Sequence, residues 1–411
     1  MKKRIFTAVL ATLSITFTGL HLLKDFAVST QADNEVESEF YVENTLKNVE
    51  NASHDLHIRA KSAYLMEFGT GTPIYAQNEN ERLPIASMCK IMTLLLCFDA
   101  INEGNLDLEE MISVSENASA MGGSQVFLEA NAEYPAKELI KSIVVCSAND
   151  SCVAMAERIA GNETLFVEKM NEKAQFLGAN DTLFANCTGL PKEPQYSTAK
   201  DVAVMLKELL KHPQYYEFGK VWMDKFQHPQ GRFTEITNTN KLVRFYDGCD
   251  GGKTGFTNQA GFCLAATAKR KEMRIISVVI GAENSKNRFE DVKGMFDYAF
   301  ANYSLTPILK TDTPLEDKVC VDGGKEKSVS VYPQRPAYVF TKRGEKASVT
   351  FENHIHTVKA PIAKGDIVGE TVIFKDGLEV ERVPLIAGND VKKATFWDRL
   401  QDVGRDWTAR K

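Results

Sequence analysis

The segment PIASMCKIMTLLLCF, residues 84–98, decides the fold, because a proline there precedes an almost entirely apolar run. Proline is favoured in the first turn of a helix, where its missing N–H is not needed. The run therefore predicts a helix that begins just after Pro84. Since apolar residues lie on nearly all of its sides, this helix is expected to be buried in the centre of a domain.

A serine and a lysine interrupt this helix, and they form a candidate nucleophile and base. Ser87 and Lys90 are three residues apart, which places both side chains on one helical face. Burying a lysine in so apolar a helix costs free energy and needs a reason. Because burial disfavours the charged ammonium, such a lysine can accept the proton of a neighbouring serine hydroxyl.

The Ser-x-x-Lys pattern is weak evidence by itself, because the chain contains it twice. The second copy is Ser197 with Lys200. Ser197 stands just before an amphipathic helical pattern, where serine commonly caps backbone N–H groups. We therefore interpret Ser197 as a helix cap and Ser87 as the candidate nucleophile.

Strands and helices are predicted on both sides of the central helix from the period of their apolar residues. The predicted strands are 63–68, 74–76, 261–268 and 275–280. The predicted helices are 136–160, 162–177, 198–211 and 288–303. Strands at both ends with helices between them predict one α/β (α+β) domain, a β-sheet flanked by helices, over residues 54–304.

Beyond this domain the pattern changes to short alternating strands. They are predicted at 327–332, 337–341, 347–351, 371–375 and 378–383. An Asp-Gly pair joins the last two, which is a strong signal for a hairpin. Residues 305–389 are therefore predicted to form a small all-β domain. The tail 390–411 is predicted to be an amphipathic helix, because four apolar residues share one helical face: Phe396, Leu400, Val403 and Trp407.

The N-terminus is predicted to direct export. Residues 1–32 combine a basic start, an apolar run and small residues before Asp33, which is typical of a signal peptide cut after Ala32. An uncleaved membrane anchor is the alternative, because the apolar run is nearly long enough to span a bilayer. Residues 33–53 are polar and acidic and are predicted to be a solvated leader.

The composition excludes several classes of protein. The chain has 411 residues, 44% hydrophobic and 25% charged, which is typical of a globular protein and not of a collagen-like, disordered or multi-span membrane protein. The net charge of −6 argues against a nucleic-acid partner. The eight cysteines are irregularly spaced and partly in apolar runs, so we interpret them as free thiols. Cysteine and histidine spacings typical of zinc sites do not occur, so neither a metal site nor a cofactor is predicted.

Two further short motifs follow Ser87 along the chain. Ser147-Ala148-Asn149 supplies a hydroxyl and an amide, and Lys253-Thr254-Gly255 supplies a cation beside a hydroxyl. Ser-x-Asn occurs three times, and the single Lys-Thr-Gly could be a glycine-rich turn into a strand, so neither motif is specific alone. A phosphate-binding loop is excluded, because no glycine stands five residues before the Gly-Lys pair.

The order Ser-x-x-Lys, Ser-x-Asn, Lys-Thr-Gly resembles that of the active-site-serine penicillin-recognising enzymes. The segments PIASMCKIMT (84–93), SAND (147–150) and GKTGFT (252–257) are similar to those of the low-molecular-mass penicillin-binding proteins, the serine-type D-alanyl-D-alanine carboxypeptidases. PIAKG (361–365) and the Asp-Gly hairpin resemble the C-terminal β domain of that family. The resemblance covers roughly residues 55–390 and implies a penicillin-recognising serine hydrolase fold.

The resemblance implies a role for each residue of the first two motifs. Ser87 would attack the carbonyl of the terminal D-Ala-D-Ala peptide bond and become acylated, and Lys90 would be its general base. Ser147 would relay a proton to the leaving D-alanine. Asn149 would hold Lys90 and the substrate amide in place.

The resemblance also implies how substrate is bound. Lys253 and Thr254 would bind the terminal carboxylate, and Gly255 would let the substrate lie against the strand. The backbone N–H groups of Ser87 and Phe256 would form the oxyanion hole. Arg288 would add positive potential, with a plain surface position on a helix as the alternative.

Two positions depart from the family pattern. Ala148 stands where glycine is common, and this small change should be tolerated. Phe256 stands where many relatives have histidine. Only its backbone is required, so we expect catalysis to persist with a different pH dependence or substrate preference.

The resemblance predicts an exported enzyme on the outer face of the cytoplasmic membrane, facing the cell wall. Its expected ligands are peptidoglycan stem peptides ending in D-Ala-D-Ala and β-lactam antibiotics. The C-terminal helix is expected to contact the membrane surface, with a helix docked on the β domain as the alternative. A β-lactamase is disfavoured, because no Glu-x-x-Leu-Asn segment stands between Asn149 and Lys253. A non-catalytic wall-binding or antibiotic-sensing protein and a DD-endopeptidase remain open as alternatives.

Overall fold

A computed structural model describes residues 56–401, which form two units that divide between Leu305 and Thr306. The predicted signal peptide 1–32 and leader 33–53 lie outside the described residues, as do Val403 and Trp407 of the tail. The two units are mixed α/β and all-β respectively. The predicted fold class, an α/β domain followed by a small all-β domain, is confirmed.

Five antiparallel strands form the central sheet of the N-terminal unit. They are β1 (Ser62–Glu67), β2 (Pro73–Gln77), β7 (Cys249–Thr257), β8 (Gly261–Arg270) and β9 (Met273–Ala282). Their order in the sheet is β2-β1-β9-β8-β7. Every residue of β9 is buried, because alternate side chains point to opposite faces and both faces are covered. Ile276 and Val278 join the helical core, whereas Ser277 contacts Met295 on the other side.

The helices of this unit pack on both faces of the sheet. They are α1 (Lys90–Asn102), α2 (Glu116–Ser119), α3 (Ala136–Cys146), α4 (Asn149–Ala160), α5 (Glu163–Phe176), α6 (Ala199–Leu209), α7 (Tyr215–Gly219), α8 (Leu242–Phe245) and α9 (Ser285–Asn302). Helix α1 packs against α3, α4, α5 and α6, so the predicted central helix is confirmed. Its first turn, Ala86–Cys89, is a 3₁₀ helix.

Two short strand pairs complete the unit and were not predicted from the sequence. They are β3 (Met111–Ser113) with β4 (Glu133–Pro135), and β5 (Met223–Gln227) with β6 (Phe233–Thr237). The predicted helix 136–160 is two helices, because Ser147 adopts a left-handed conformation (φ 66°) that ends α3. This break presents the Ser-x-Asn motif between α3 and α4.

The C-terminal unit is built from strands. They are β10 (Tyr303–Leu309), which crosses the division between the units, β11 (Lys318–Asp322), β12 (Ser328–Pro333), β13 (Ala337–Lys342), β14 (Val349–Ile355), β15 (Val358–Lys359), β16 (Ile367–Lys375) and β17 (Leu378–Ala387). Six of them form one sheet in the order β14-β16-β17-β12-β11-β15, and β10 pairs with β13. The predicted hairpin is present: Asp376 (φ 54°) and Gly377 (φ 84°) form its turn, with left-handed conformations at both positions.

The packed part of this unit continues past β17. Val391 is buried in its core and pairs with Ile362, and Lys393 forms a bridge with Gly324. The tail then turns helical at 396–401, where Thr395 caps the first turn by accepting from the N–H of Asp398. Among residues 56–401, no helix has the length and apolarity required to cross a membrane.

The eight cysteines are free thiols, and all of them lie in the described part of the chain. Seven are buried or half-buried, and burial raises the pKa of each of them: Cys89, Cys97, Cys146, Cys152, Cys187, Cys249 and Cys263. Cys320, on β11, is exposed. Within residues 56–401, no cluster of three or more His, Cys, Asp or Glu side chains is placed to hold a metal ion.

Candidate active site

The three sequence motifs meet at one place, although long stretches of chain separate them. Strand β7 lies directly against the Ser87 segment: a Cβ at Gly255 would lie 2.6 Å from the carbonyl oxygen of Ile85. The end of α3 is tied to the same strand through Thr239. Its N–H donates to Val145, and its hydroxyl accepts from Thr254 at 2.8 Å. Because β7 approaches so closely at Gly255, the glycine of Lys-Thr-Gly is required for packing against the Ser87 segment, whether or not it also contacts substrate.

Ser87 and Lys90 lie as the sequence predicts. Ser87 is half-buried in the 3₁₀ turn, and the preceding Ala86 has a left-handed φ of 48°, a strained conformation for a residue with a side chain. Lys90 is 0% exposed, and its Nζ lies 3.1 Å from Ser87 Oγ. Among residues 56–401, no carboxylate forms an ion pair with Lys90. The pair can therefore act as an accessible nucleophile with an amine base behind it.

A turn at residues 186–189, which no sequence motif marks as part of the site, supports Lys90 from the other side. Lys90 Nζ donates to the carbonyl of Thr188. Asn186 shapes that turn, because its Oδ1 accepts from the N–H groups of Gly189 at 2.7 Å and Thr188 at 3.2 Å. Gly189 has φ 80°, and a Cβ there would lie 2.1 Å from the Ala86 carbonyl oxygen. The Asn-x-x-Gly spacing indicates a turn, but the sequence does not show that the turn faces Lys90.

Ser147 and Asn149 present unsatisfied polar atoms at the break between α3 and α4. Ser147 Oγ is buried and has no hydrogen-bond partner among the described residues, and the same holds for Asn149 Oδ1. Asn149 Nδ2 donates to the carbonyl of Gly122 at 2.7 Å. No hydrogen bond joins Asn149 to Lys90 in the described part of the chain, because the amide is held by Gly122 instead. Buried atoms left open in this way are suited to receiving a ligand.

Lys253 is the second buried lysine of the site. It is 1% exposed, and its Nζ donates to the carbonyl of Thr254 at 3.2 Å. Burial, and after it the positive charge of Lys90, lower the pKa of Lys253 to about 7. No carboxylate in residues 56–401 forms an ion pair with it. A bound anion would favour its charged form, which makes this lysine a candidate carboxylate ligand.

Arg288 is buried, so the alternative of a surface helix position is wrong. From the first turn of α9 its guanidinium donates to the carbonyls of Gly255 at 3.3 Å and Cys263 at 3.4 Å. It also lies over the ring of Phe262. Burial lowers the pKa of Arg288 to about 10. Its Nε has no partner among the described residues. Through its contact with Gly255, Arg288 brings positive charge to the strand that carries Lys253.

Phe256 follows Gly255 on β7, and its ring is half exposed. The ring packs against Phe262, with centroids 4.3 Å apart. The side chain therefore adds an aromatic wall to the site where a histidine would add a titratable group.

The second Ser-x-x-Lys tetrad has a different environment. Ser197 is fully buried, pairs with Leu83 through its backbone, and places its hydroxyl 2.8 Å from that of Thr182. The predicted cap at Ser197 is wrong: Thr198 caps α6, and its hydroxyl accepts from the Asp201 N–H at 3.0 Å. Lys200 is exposed.

Comparison with known proteins gives matches over both units. A family model described as D-alanyl-D-alanine carboxypeptidase matches residues 48–284, and one described as penicillin-binding protein 5, C-terminal domain, matches residues 303–393. The chain is 42% identical over 362 residues to the D-alanyl-D-alanine carboxypeptidase DacF of Bacillus subtilis, covering 87% of this chain and 92% of that protein. It is 31% identical to DacC of Escherichia coli, covering 84% and 87%.

Solved structures resemble this chain in the same way. Penicillin-binding protein 5 from Haemophilus influenzae matches with a TM-score of 0.65 and 29% identity, covering 82% of this chain and 98% of that one. Penicillin-binding protein D2 from Listeria monocytogenes, in an ampicillin-bound form, matches with a TM-score of 0.54 and 28% identity. That match covers 60% of this chain and 99% of the other.

Proposed function

Because this chain belongs to the D-alanyl-D-alanine carboxypeptidase family, we propose that it removes the terminal D-alanine from peptidoglycan stem peptides that end in D-Ala-D-Ala. The observation that carries the proposal is the Ser87–Lys90 pair. A partly accessible hydroxyl lies 3.1 Å from a lysine amine that is fully buried and has no carboxylate partner among the described residues. The family relation and this geometry point to the same nucleophile.

Acylation proceeds on Ser87. Its Oγ attacks the carbonyl carbon of the penultimate D-alanine while Lys90 Nζ accepts the hydroxyl proton. The C–N bond to the last D-alanine then breaks, and the leaving amine takes a proton through Ser147, whose open hydroxyl supports this role. Water finally hydrolyses the ester and regenerates Ser87.

Substrate binding is proposed for the Lys-Thr-Gly strand and its surroundings. Lys253 and Thr254 bind the terminal carboxylate, and the buried Arg288 adds positive charge next to them. The open atoms of Asn149 hold the substrate amide. These groups have buried charge or hydrogen-bonding capacity that the described residues leave unused, which supports their assignment to a ligand.

The oxyanion hole is proposed at the backbone N–H groups of Ser87 and Phe256. Preorganised donors of this kind stabilise the developing negative charge by about 3–4 kcal/mol. The absence of a side chain at Gly255 supports the assignment, since it lets β7 approach the Ser87 segment closely.

β-Lactam antibiotics are proposed as a second class of reactant at Ser87. They present an amide bond and a carboxylate to the same groups, and attack opens their ring to leave an acyl-enzyme. The similarity to an ampicillin-bound penicillin-binding protein supports this proposal.

Release of D-alanine from a synthetic peptide ending in L-Lys-D-Ala-D-Ala tests the proposed function. We expect turnover by the wild-type chain and none by Ser87→Ala. Acylation by penicillin without D-alanine release would indicate an antibiotic-sensing protein. Cleavage of cross-linked peptides in preference to this substrate would indicate an endopeptidase.

The mature enzyme is proposed to be exported and held at the outer face of the cytoplasmic membrane. Phe396 and Trp397 of the tail are 73% and 71% exposed, and Leu400 is also exposed. Residues 391–411 contain six basic and three acidic side chains, which suits an anionic membrane surface. Flotation with anionic and neutral liposomes tests this, comparing the full chain with one that ends at Ala394, so that the buried Val391 is retained. Equal recovery of both chains with anionic liposomes would contradict the anchor.

A further inference from the structure

Asp150 is a buried carboxylate that the chemistry above does not use. It is 0% exposed and lies in the first turn of α4, directly after Asn149. Among residues 56–401, no lysine, arginine or histidine forms an ion pair with it. A charge removed from water without a counter-charge is costly unless hydrogen bonds replace its hydration.

Backbone N–H groups supply those hydrogen bonds, two of them from one loop and one from α4 itself. Asp150 Oδ2 accepts from Val126 and Leu128, each at 3.1 Å, and Oδ1 accepts from Ser151 at 2.9 Å. Phe127 lies between the two donors and has a left-handed φ of 64°. A left-handed residue between such donors turns successive N–H groups towards one point, which makes an anion-binding concavity. Here the concavity is filled by a carboxylate of the chain itself.

The same loop supports the neighbouring Asn149. The carbonyl of Gly122 accepts from Asn149 Nδ2 at 2.7 Å, and the carbonyl of Ser124 accepts from the Asn149 N–H at 2.7 Å. Because one N–H of the amide is held in this way, its second N–H and its Oδ1 remain for other partners. Gly123 completes the contact, since a Cβ there would lie 2.8 Å from Asn149 Nδ2.

We propose that Asp150 is a positioning residue for the acylation reaction: it holds the loop 122–128, and the loop holds the amide of Asn149 against the substrate. The inference rests on the proposed function. The conformation of Phe127 explains why the loop requires these hydrogen bonds, because a bulky residue persists in a left-handed conformation only where its surroundings impose it. Asn149 and Asp150, at adjacent positions on α4, thus form hydrogen bonds to the first and the second half of this loop.

The test compares acylation rates of two β-lactams. Benzylpenicillin has a side-chain amide for Asn149 to hold, whereas penicillanic acid sulfone has none. Asp150→Asn keeps the side-chain shape but turns an N–H donor towards the donors of the loop. We expect it to slow acylation by benzylpenicillin roughly 10- to 100-fold and acylation by the sulfone at least threefold less. Equal losses with the two probes, or no loss, would overturn the proposal, because general structural damage affects both alike.

Two further variants separate positioning from folding. Glu67 is also a buried carboxylate that accepts backbone N–H groups, those of Gly69 and Thr70, and it has no contact with the three motifs. Glu67→Gln should lower the melting temperature without changing either acylation rate. If Asp150→Asn does not fold, Gly123→Ala, at an exposed position, decides the matter. It should show the same selective loss, and a folded Gly123→Ala with normal benzylpenicillin acylation would overturn the proposal.

The wild-type chain distinguishes this inference from the proposed function. A wild-type protein that reacts with neither β-lactam nor peptide would overturn both. A reactive wild type with an equally reactive Asp150→Asn would overturn the positioning role alone.

Discussion

The two Ser-x-x-Lys tetrads share a pattern but differ in the burial of both the serine and the lysine. At residues 87–90 the serine is half-buried and the lysine is fully buried, with Nζ 3.1 Å from the hydroxyl. At residues 197–200 the serine is fully buried and the lysine is exposed. A reactive pair requires the opposite of the second arrangement: a hydroxyl that substrate can reach and an amine that water cannot.

The environment of the lysine therefore carries more information than its spacing from serine. Lys90 lies in an apolar helix and donates to the carbonyl of Thr188, whereas Lys200 needs no partner because water solvates it. Burying Lys90 costs free energy, and no carboxylate among the described residues offsets that cost. A buried lysine without a carboxylate partner is the better indicator of function.

Replacing the two serines gives the largest expected difference. Ser87→Ala should abolish labelling by a fluorescent penicillin and reduce turnover at least about 10⁴-fold, because the covalent intermediate cannot form. Ser197→Ala should label normally. Digestion and mass spectrometry locate the label, and a labelled peptide that lacks Ser87 would refute the assignment.

Replacing the two lysines should give the next largest difference. Lys90→Met keeps a long apolar side chain in the helix but removes the base, so acylation should slow by about 10²–10⁴-fold. Lys200→Met, at an exposed position, should change the rate less than twofold. Stopped-flow acylation with benzylpenicillin measures both variants. Comparable losses in the two would show that burial of the lysine does not decide reactivity.

Lys253 extends the comparison to a third lysine, buried like Lys90 but assigned to binding. Its charged form is needed for a carboxylate ligand, and its pKa is lowered to about 7, so wild-type affinity for substrate should fall as the pH rises above about 7. Lys253→Ala should lose this alkaline limb and about 10²-fold in kcat/KM. The melting temperature should change by only a few degrees. A well-folded variant with near-normal turnover would contradict the binding role.

The smallest expected effect concerns stability at the second tetrad. Thr198→Ala removes the cap of α6 and should lower the free energy of unfolding by about 1 kcal/mol. Urea unfolding measures this loss. Penicillin labelling should be unchanged, and a folded Thr198→Ala with reduced labelling would show that the second tetrad influences the site.

The elements with strong local signals could be predicted from sequence. The apolar run after Pro84 and the Asp376-Gly377 hairpin are examples, because burial and turn geometry each restrict the residue types. The break at Ser147 could not be predicted, since the apolar pattern continues across it. Strand β7 could not be predicted either, because the glycines at its buried positions leave no alternation of apolar and polar residues.

In the candidate site, too, some residues could be predicted from the sequence and others could not. The order of the motifs was enough to name Ser87, Lys90, Asn149 and Lys253 as candidates, because the motifs consist of side chains with recognisable chemistry. The loops 122–128 and 186–189 were missed, since they act through carbonyl and N–H groups that every residue possesses. Their closest sequence signals are Gly123 and Gly189, which mark turns without showing what the turns face.

The distribution of the thiols has a practical consequence for attaching reporters to this enzyme. Thiolate is the form that attacks maleimides, and burial makes it scarce at the seven thiols inside the protein. Cys320 is exposed and lies in the other unit from Ser87. A maleimide dye or a surface linker should therefore couple to the folded native chain at one position. Fluorescence or immobilised assays of antibiotic acylation could then be built without introducing a cysteine or removing one.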